Sequence, residues 1–112
     1  MTSVNFVKSD VTAYFSFECL GHSGYSQEGS DIVCAAVSSA TELVIGILEN
    51  FSVDLKLDIR NEQACVYCEI VQSENNLQRK EIIANVLDGY AKYLDEISDA
   101  YPKYLKCTLT KV

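Results

Sequence analysis

The hydrophobic pattern of the chain changes between two periods. Apolar residues alternate with polar ones in some segments, which is typical of strands, and recur every three or four positions in others, which is typical of helices. We therefore predict strands over 2–8, 11–19, 52–59, 64–71 and 104–111, and helices over 30–50 and 75–98. The order ββαββαβ favours an α+β fold, a single two-layer domain over residues 1–112 with a mostly antiparallel sheet and both helices on one face.

The same pattern predicts which side chains are buried. The second strand places one set on a single face, namely Val11, Ala13, Phe15, Phe17 and Cys19. The third strand turns another set inward, namely Val53, Leu55, Leu57 and Ile59. The second helix has a core face made of Ile83, Val86, Leu87, Tyr90, Leu94 and Ile97.

The first helix differs because it is apolar almost all round. Ser30 is the candidate N-cap, and Asp31 falls in the first turn, where the helix dipole favours a carboxylate. We expect burial on more than one face, either under the second helix or against a partner chain.

Composition supports an ordinary globular protein of one domain. The chain has 112 residues, of which 48% are hydrophobic and 22% charged. The longest apolar run, Ile32 to Leu48, is interrupted by polar residues, so we expect no membrane span. The N-terminal segment alternates like a strand and lacks the basic and apolar blocks of a signal peptide, so we expect a cytoplasmic protein.

Acidic residues outnumber basic ones, with 16 Asp and Glu against 9 Lys and Arg and a net charge of −7. Between Lys8 and Lys56 there are seven acidic residues and no Lys or Arg. Direct nucleic-acid binding is not expected, because it depends on neutralising phosphates. A basic partner or substrate would be attracted to this half of the chain, although the same charges also serve solubility.

The candidate chemistry lies between residues 21 and 34. His22, the only histidine, lies in a loop over 20–29 that holds three of the five glycines. Cys34 follows twelve residues later, about one turn inside the predicted helix, where free N–H groups favour a thiolate. An imidazole within reach could move the proton, but the nearby Asp31 charge opposes the thiolate. From the residues alone, a catalytic pair and a loop histidine beside a core cysteine both remain open.

The other cysteines give a weaker indication. Five cysteines without a secretory signal argue against a disulfide framework. Cys65 and Cys68 are spaced like a redox motif, but they fall in a predicted strand, where such a pair points to opposite faces. A zinc site needs further ligands that the sequence lacks, so we predict no metal and no cofactor. A thiol-redox function stays a minor hypothesis.

The segment GHSGYSQEGSDIVCAAVSS, residues 21–39, resembles the ribosomal-processing cysteine protease family called Prp. Ser23 and Ser26 depart from it, because alanine is common there in the family. The positions that match are Gly21, His22, Gly24, Tyr25, Gly29, Asp31, Ile32, Val33, Cys34, Ala35, Ala36, Val37 and Ser38.

The resemblance implies a specific activity. Cys34 would be the nucleophile and His22 the acid and base, with Gly21, Gly24, Asp31 and Ser38 as supporting or substrate-binding residues. The substrate would be a basic precursor of a bacterial large-subunit ribosomal protein, from which the protease removes an N-terminal extension. The resemblance also implies a homodimer and a flexible loop around the histidine. The alternative is a non-catalytic acidic chaperone that binds the same basic protein.

Overall fold

The computed structural model describes residues 1–10, 13–27, 31–71 and 77–111, with the side chains of Leu77 and Gln78 left out. One turn of 3₁₀ helix, Asn61–Gln63, connects the third and fourth strands. The other elements are β1 (Thr2–Ser9), β2 (Ala13–Leu20), α1 (Ile32–Asn50), β3 (Leu55–Arg60), β4 (Cys65–Ile70), α2 (Leu77–Ala100) and β5 (Leu105–Lys111).

The five strands form one sheet in the order β3-β4-β2-β1-β5. β1 and β5 are parallel, and the other three neighbouring pairs are antiparallel. α1 packs against α2, which in turn packs against β2 and β5. The predicted fold class, a two-layer α+β domain with the order ββαββαβ and a mostly antiparallel sheet, is confirmed.

The hydrophobic core lies between the sheet and the two helices. On α2 the predicted core residues Ile83, Leu87, Tyr90 and Leu94 are buried, while Val86 and Ile97 are partly buried against them. Sheet residues such as Val4, Phe6 and Phe17 complete this layer, and the Phe6, Phe17 and Tyr90 rings meet edge to face or tilted. The helical spacing therefore located the α2 face correctly.

A bulge changes the predicted inward face of β2. Val7 pairs with Ser16 and Lys8 with Tyr14, which leaves Phe15 without an opposite residue. Such an extra residue shifts the alternation by one position. Tyr14 therefore joins Phe17 and Cys19 in the core, and the prediction that Phe15 shares their face is wrong. Val11 lies outside the described residues.

β3 is also shorter and less buried than predicted. It begins at Leu55 rather than at residue 52. Val53 is buried and Leu55 is packed against the core, but Leu57 and Ile59 are 39% and 54% exposed. β3 lies at the edge of the sheet, where it pairs with β4. The inward assignment of Leu57 and Ile59 is therefore wrong.

The start and the burial of α1 also differ from prediction. Asp31, not Ser30, is the N-cap, because its side chain accepts hydrogen bonds from the backbone N–H groups of Val33 and Cys34. Ser30 lies outside the described residues. One face of α1 is buried, whereas Ile32 and Leu43 are exposed, so the described residues of this chain do not bury α1 on several faces.

By length and hydropathy alone, the 19-residue helix α1 is apolar enough to cross a membrane. A core helix passes the same test. In this fold Val33, Val37, Val44 and Leu48 of α1 are part of the hydrophobic core.

Candidate active site

The loop that follows β2 is fixed at its base by Gly21. The Gly21 N–H donates to the Ala64 carbonyl at 2.9 Å, and the Thr2 hydroxyl donates to the Gly21 carbonyl at 3.0 Å. The φ of Gly21, +83°, is favourable only for glycine, and a Cβ at this residue would lie 3.0 Å from the Met1 carbonyl. Gly24 also has a positive φ, +77°. Both glycines therefore shape the segment that carries His22.

The middle of the loop is held against the start of α1 by Ser23. Its hydroxyl donates to the Asp31 carboxylate at 2.5 Å, and its backbone N–H donates to the Cys34 sulfur at 3.1 Å. Further along, the Tyr25 ring packs edge to face against Tyr101 and Tyr104. The described part of the loop is thus anchored at three points.

Asp31 is a buried carboxylate surrounded by donors. One oxygen accepts from the N–H groups of Val33 and Cys34 at 3.0 Å each, and the other accepts from Ser23. Burial by itself raises the pKa of Asp31, but hydrogen bonds from Ser23, from the Cys34 and Ser26 backbone and from the Cys34 thiol outweigh it and lower the pKa to about 2. Asp31 is therefore ionised at neutral pH.

His22 and Cys34 share two cavities, although no hydrogen bond joins them within the part of the chain that the structure describes. The first cavity, of about 270 Å³, extends along α1 toward the β3–β4 connection. The second, of about 230 Å³, extends toward Gly24 and Ala35. Ser38, one helical turn after Cys34, also lines both. Cys34 is half-buried and His22 exposed, so both are accessible from the cavities.

Comparison with known proteins identifies the family. The family model described as cysteine protease Prp matches residues 1–106. The chain belongs to the cysteine protease Prp family. No curated protein matches the chain in sequence.

Solved structures share the Prp fold. An essential ribosomal processing protease Prp from S. aureus, in complex with a covalently linked product peptide, has a TM-score of 0.85 at 17% identity, covering 98% of this chain and 100% of its own. The same protease with a substrate peptide has a TM-score of 0.80 at 16% identity, with the same coverage. SMU.848 from Streptococcus mutans has a TM-score of 0.72 at 23% identity, covering 100% of this chain and 96% of its own.

The structure brings all six site residues predicted from the sequence of this Prp-family chain to one place. His22, Cys34 and Ser38 line both cavities, Gly21 lines the first, and Gly24 and Asp31 line the second. Sequence reasoning missed the contribution of Ser23, which stood only as a departure from the family pattern. It also missed the far wall of the first cavity, made by Ile59, Asn61, Ala64, Cys65 and Val66.

Cys19, Thr41 and Tyr90 form a buried polar network beside the first cavity, which Cys19 and Thr41 line. The Thr41 hydroxyl donates to the Val37 carbonyl at 2.7 Å and lies 2.6 Å from the Tyr90 hydroxyl. The Cys19 sulfur contacts both, at 3.6 Å from Thr41 and 3.3 Å from Tyr90. Burial raises the pKa of the Cys19 thiol. This network joins β2, α1 and α2 directly beneath the site.

The Cys65 and Cys68 pair lies in a strand, as predicted. Cys65 and Cys68 are the first and fourth residues of β4, and both are free thiols. Cys68 is buried, which raises the pKa of its thiol to about 12, whereas Cys65 is half-buried and lines the first cavity. Among the described residues no cluster of three or more His, Cys, Asp or Glu could hold a metal ion.

Proposed function

We propose that this chain is a site-specific cysteine endopeptidase that removes the N-terminal extension of a basic, bacterial large-subunit ribosomal protein. Cys34 is the nucleophile and His22 the acid and base. The observation that carries the proposal is the position of Cys34 at the junction of two open cavities that His22 also lines. Membership in the cysteine protease Prp family and the S. aureus relative, described as a ribosomal processing protease in complex with peptide, support it.

The reaction follows the chemistry of a thiol protease. His22 accepts the Cys34 proton, the sulfur attacks the scissile carbonyl, and His22 returns the proton to the leaving amine. A water molecule then gives a proton to His22 and attacks the thioester, which releases the carboxylic acid and the Cys34 thiolate. His22 returns the proton to the sulfur and so restores the thiol. No cofactor takes part.

Two cavities that meet at Cys34 suit an internal peptide bond. A peptide lying across the sulfur would place residues on one side of the bond in the first cavity and those on the other side in the second. Ser38 borders both cavities and is exposed, so its hydroxyl can hydrogen-bond the substrate backbone. An exopeptidase would require one of these directions to be closed.

The charge around the site suits a basic substrate. Glu42 lines the first cavity, and no Lys or Arg lines either cavity among the described residues. Asp31 adds little to this attraction, because its carboxylate is buried and saturated with donors. We place the protein in the cytoplasm, where ribosomal proteins are made, as a homodimer of one Prp-like domain spanning residues 1–112.

The deciding experiment is mass spectrometry of the extended ribosomal protein after incubation with this chain. We expect one cleavage that is abolished in Cys34→Ala and in His22→Ala. Cys107→Ala is the matched control, because Cys107 is a half-buried thiol of β5 that lines neither cavity. Circular dichroism must show that all variants are folded.

The same assay separates the alternative function. An acidic chaperone would bind the extended protein in a salt-sensitive way and leave its extension intact. That binding would survive Cys34→Ala. An uncleaved substrate with folded wild-type protein would contradict the protease proposal and favour the chaperone.

A further inference from the structure

Ser23 is unusual for its position in the chain. It is 2% exposed, although the six other described residues between Gly21 and Gln27 are all exposed. A buried hydroxyl requires hydrogen-bond partners. Ser23 therefore has to be explained by what it contacts.

Three hydrogen bonds of Ser23 connect two parts of the site. Its hydroxyl donates to Asp31 at 2.5 Å and accepts from the Tyr25 N–H at 3.2 Å. Its backbone N–H donates to the Cys34 sulfur at 3.1 Å. The residue directly before it is His22. One side chain thus ties the histidine-bearing loop to the helix that carries the cysteine.

Asp31 holds the other end of this connection. The oxygen that does not bind Ser23 caps α1 through the N–H groups of Val33 and Cys34. A hydrogen bond to a charged carboxylate is stronger than one between neutral groups. Because Asp31 fixes both the first turn of α1 and Ser23, any movement of the loop relative to Cys34 has to break this charged contact.

We propose that Ser23 is a positioning residue for catalysis: through its bond to Asp31 it clamps the His22 loop onto the start of α1 and keeps its own N–H against the Cys34 sulfur. This inference rests on the proposed protease function. Ser23 does not touch the reacting bond, so its contribution is to hold the loop in one position relative to the nucleophile. Geometric constraint of this kind raises the rate of the chemical step more than it raises substrate affinity.

The test is a double-mutant cycle on peptide cleavage with Ser23→Ala, Asp31→Ala and the double variant, each checked for folding by circular dichroism. We expect Ser23→Ala to lower kcat about tenfold and to change KM by less than about twofold. The double variant should be no slower than Asp31→Ala alone, since Asp31→Ala already removes the contact that Ser23→Ala breaks. The control is Ser39→Ala. Ser39 is an exposed residue of α1 that lines neither active-site cavity, so this variant should have the kcat and KM of wild type.

A second measurement does not depend on cleavage. Amide hydrogen exchange of the segment 21–27 should increase in Ser23→Ala and remain at the wild-type level in Ser39→Ala. If the wild-type protein cleaves no substrate, the protease proposal fails and exchange alone decides whether the clamp exists. An unchanged kcat, rate effects that multiply in the double variant, or unchanged exchange in folded Ser23→Ala each overturn the clamp.

Discussion

Replacing Asp31 by alanine removes both carboxylate oxygens, which accept hydrogen bonds from several donors. The N–H groups of Val33 and Cys34 lose their cap, and the buried Ser23 hydroxyl loses its acceptor. The substitution creates no clash, because alanine is smaller. Its effect on the free energy of unfolding therefore comes from lost hydrogen bonds and from groups left without a partner.

The magnitude follows from the lost N-cap and the lost Ser23 contact. Losing a side-chain N-cap costs about 1 kcal/mol, and leaving a buried hydroxyl without its partner costs about 1–3 kcal/mol. We expect Asp31→Ala to lower the free energy of unfolding by about 3 kcal/mol. Asp31→Asn should lose less than about 1 kcal/mol, because its amide oxygen still caps the helix and its amide N–H₂ can donate to Ser23.

Urea denaturation followed by circular dichroism at pH 7 measures both variants against wild type. The reasoning is refuted if the alanine variant is as stable as wild type. It is also refuted if the asparagine variant is destabilised as much as the alanine variant, since the charge rather than the acceptors would then be responsible.

The pH dependence has a defined sign. The pKa of Asp31 is lowered from 3.8 to about 2 in the folded protein, so its carboxylate stabilises the fold fully above the unfolded value. This contribution is lost as the pH falls from about 4 through about 2. The free energy of unfolding of wild type should therefore fall relative to that of Asp31→Asn as the pH is lowered over this range. The difference between the two should remain constant near neutral pH.

Two further predictions concern Gly21 and the buried thiol of Cys68. Gly21→Ala should lower the free energy of unfolding by about 1–2 kcal/mol in urea denaturation, because Gly21 has a positive φ and its Cβ would meet the Met1 carbonyl. The control is Gly46→Ala in α1, which should be neutral or stabilising because space is open at its Cβ. Equal effects of the two substitutions would contradict the strain argument. Iodoacetamide at pH 8 should label Cys34 and Cys65 before Cys68, whose pKa is raised to about 12 by burial. The burial of Cys68 would be contradicted if all three cysteines of the native protein reacted at the same rate and if that rate matched the rate in urea.

Helical periodicity could be recognised from sequence because it depends on one element at a time. Four of the six predicted α2 core residues are buried and two are partly buried. The sequence does not show which face of a strand is buried, since alternation shows which residues share a side but not what covers that side. Leu57 alternates as a buried residue does, yet β3 is an edge strand and leaves it exposed. The bulge at Phe15 depends on pairing with β1, which no single strand reveals.

The site shows the same division between local and tertiary information. His22 and Cys34 could be proposed because a motif and a helix start are local features of the chain. The far wall of the first cavity could not be proposed from the sequence, because Ile59 and Ala64 reach the site only through the pairing of β4 with β2 and β3. The sequence shows Ser23 only as a departure from a pattern, because its burial against Asp31 depends on how the loop folds onto α1.

The position of Asp31 resolves an apparent conflict in the electrostatics of the site. A carboxylate beside a cysteine opposes the formation of a thiolate, which made its presence one turn before Cys34 a difficulty for the sequence argument. In the fold, two N–H groups and the Ser23 hydroxyl donate to this carboxylate, so much of its charge is compensated locally. The sulfur in turn receives the Ser23 N–H, a donor that is in place because Asp31 holds Ser23. The same acid therefore also places a hydrogen-bond donor, the Ser23 N–H, against the Cys34 sulfur.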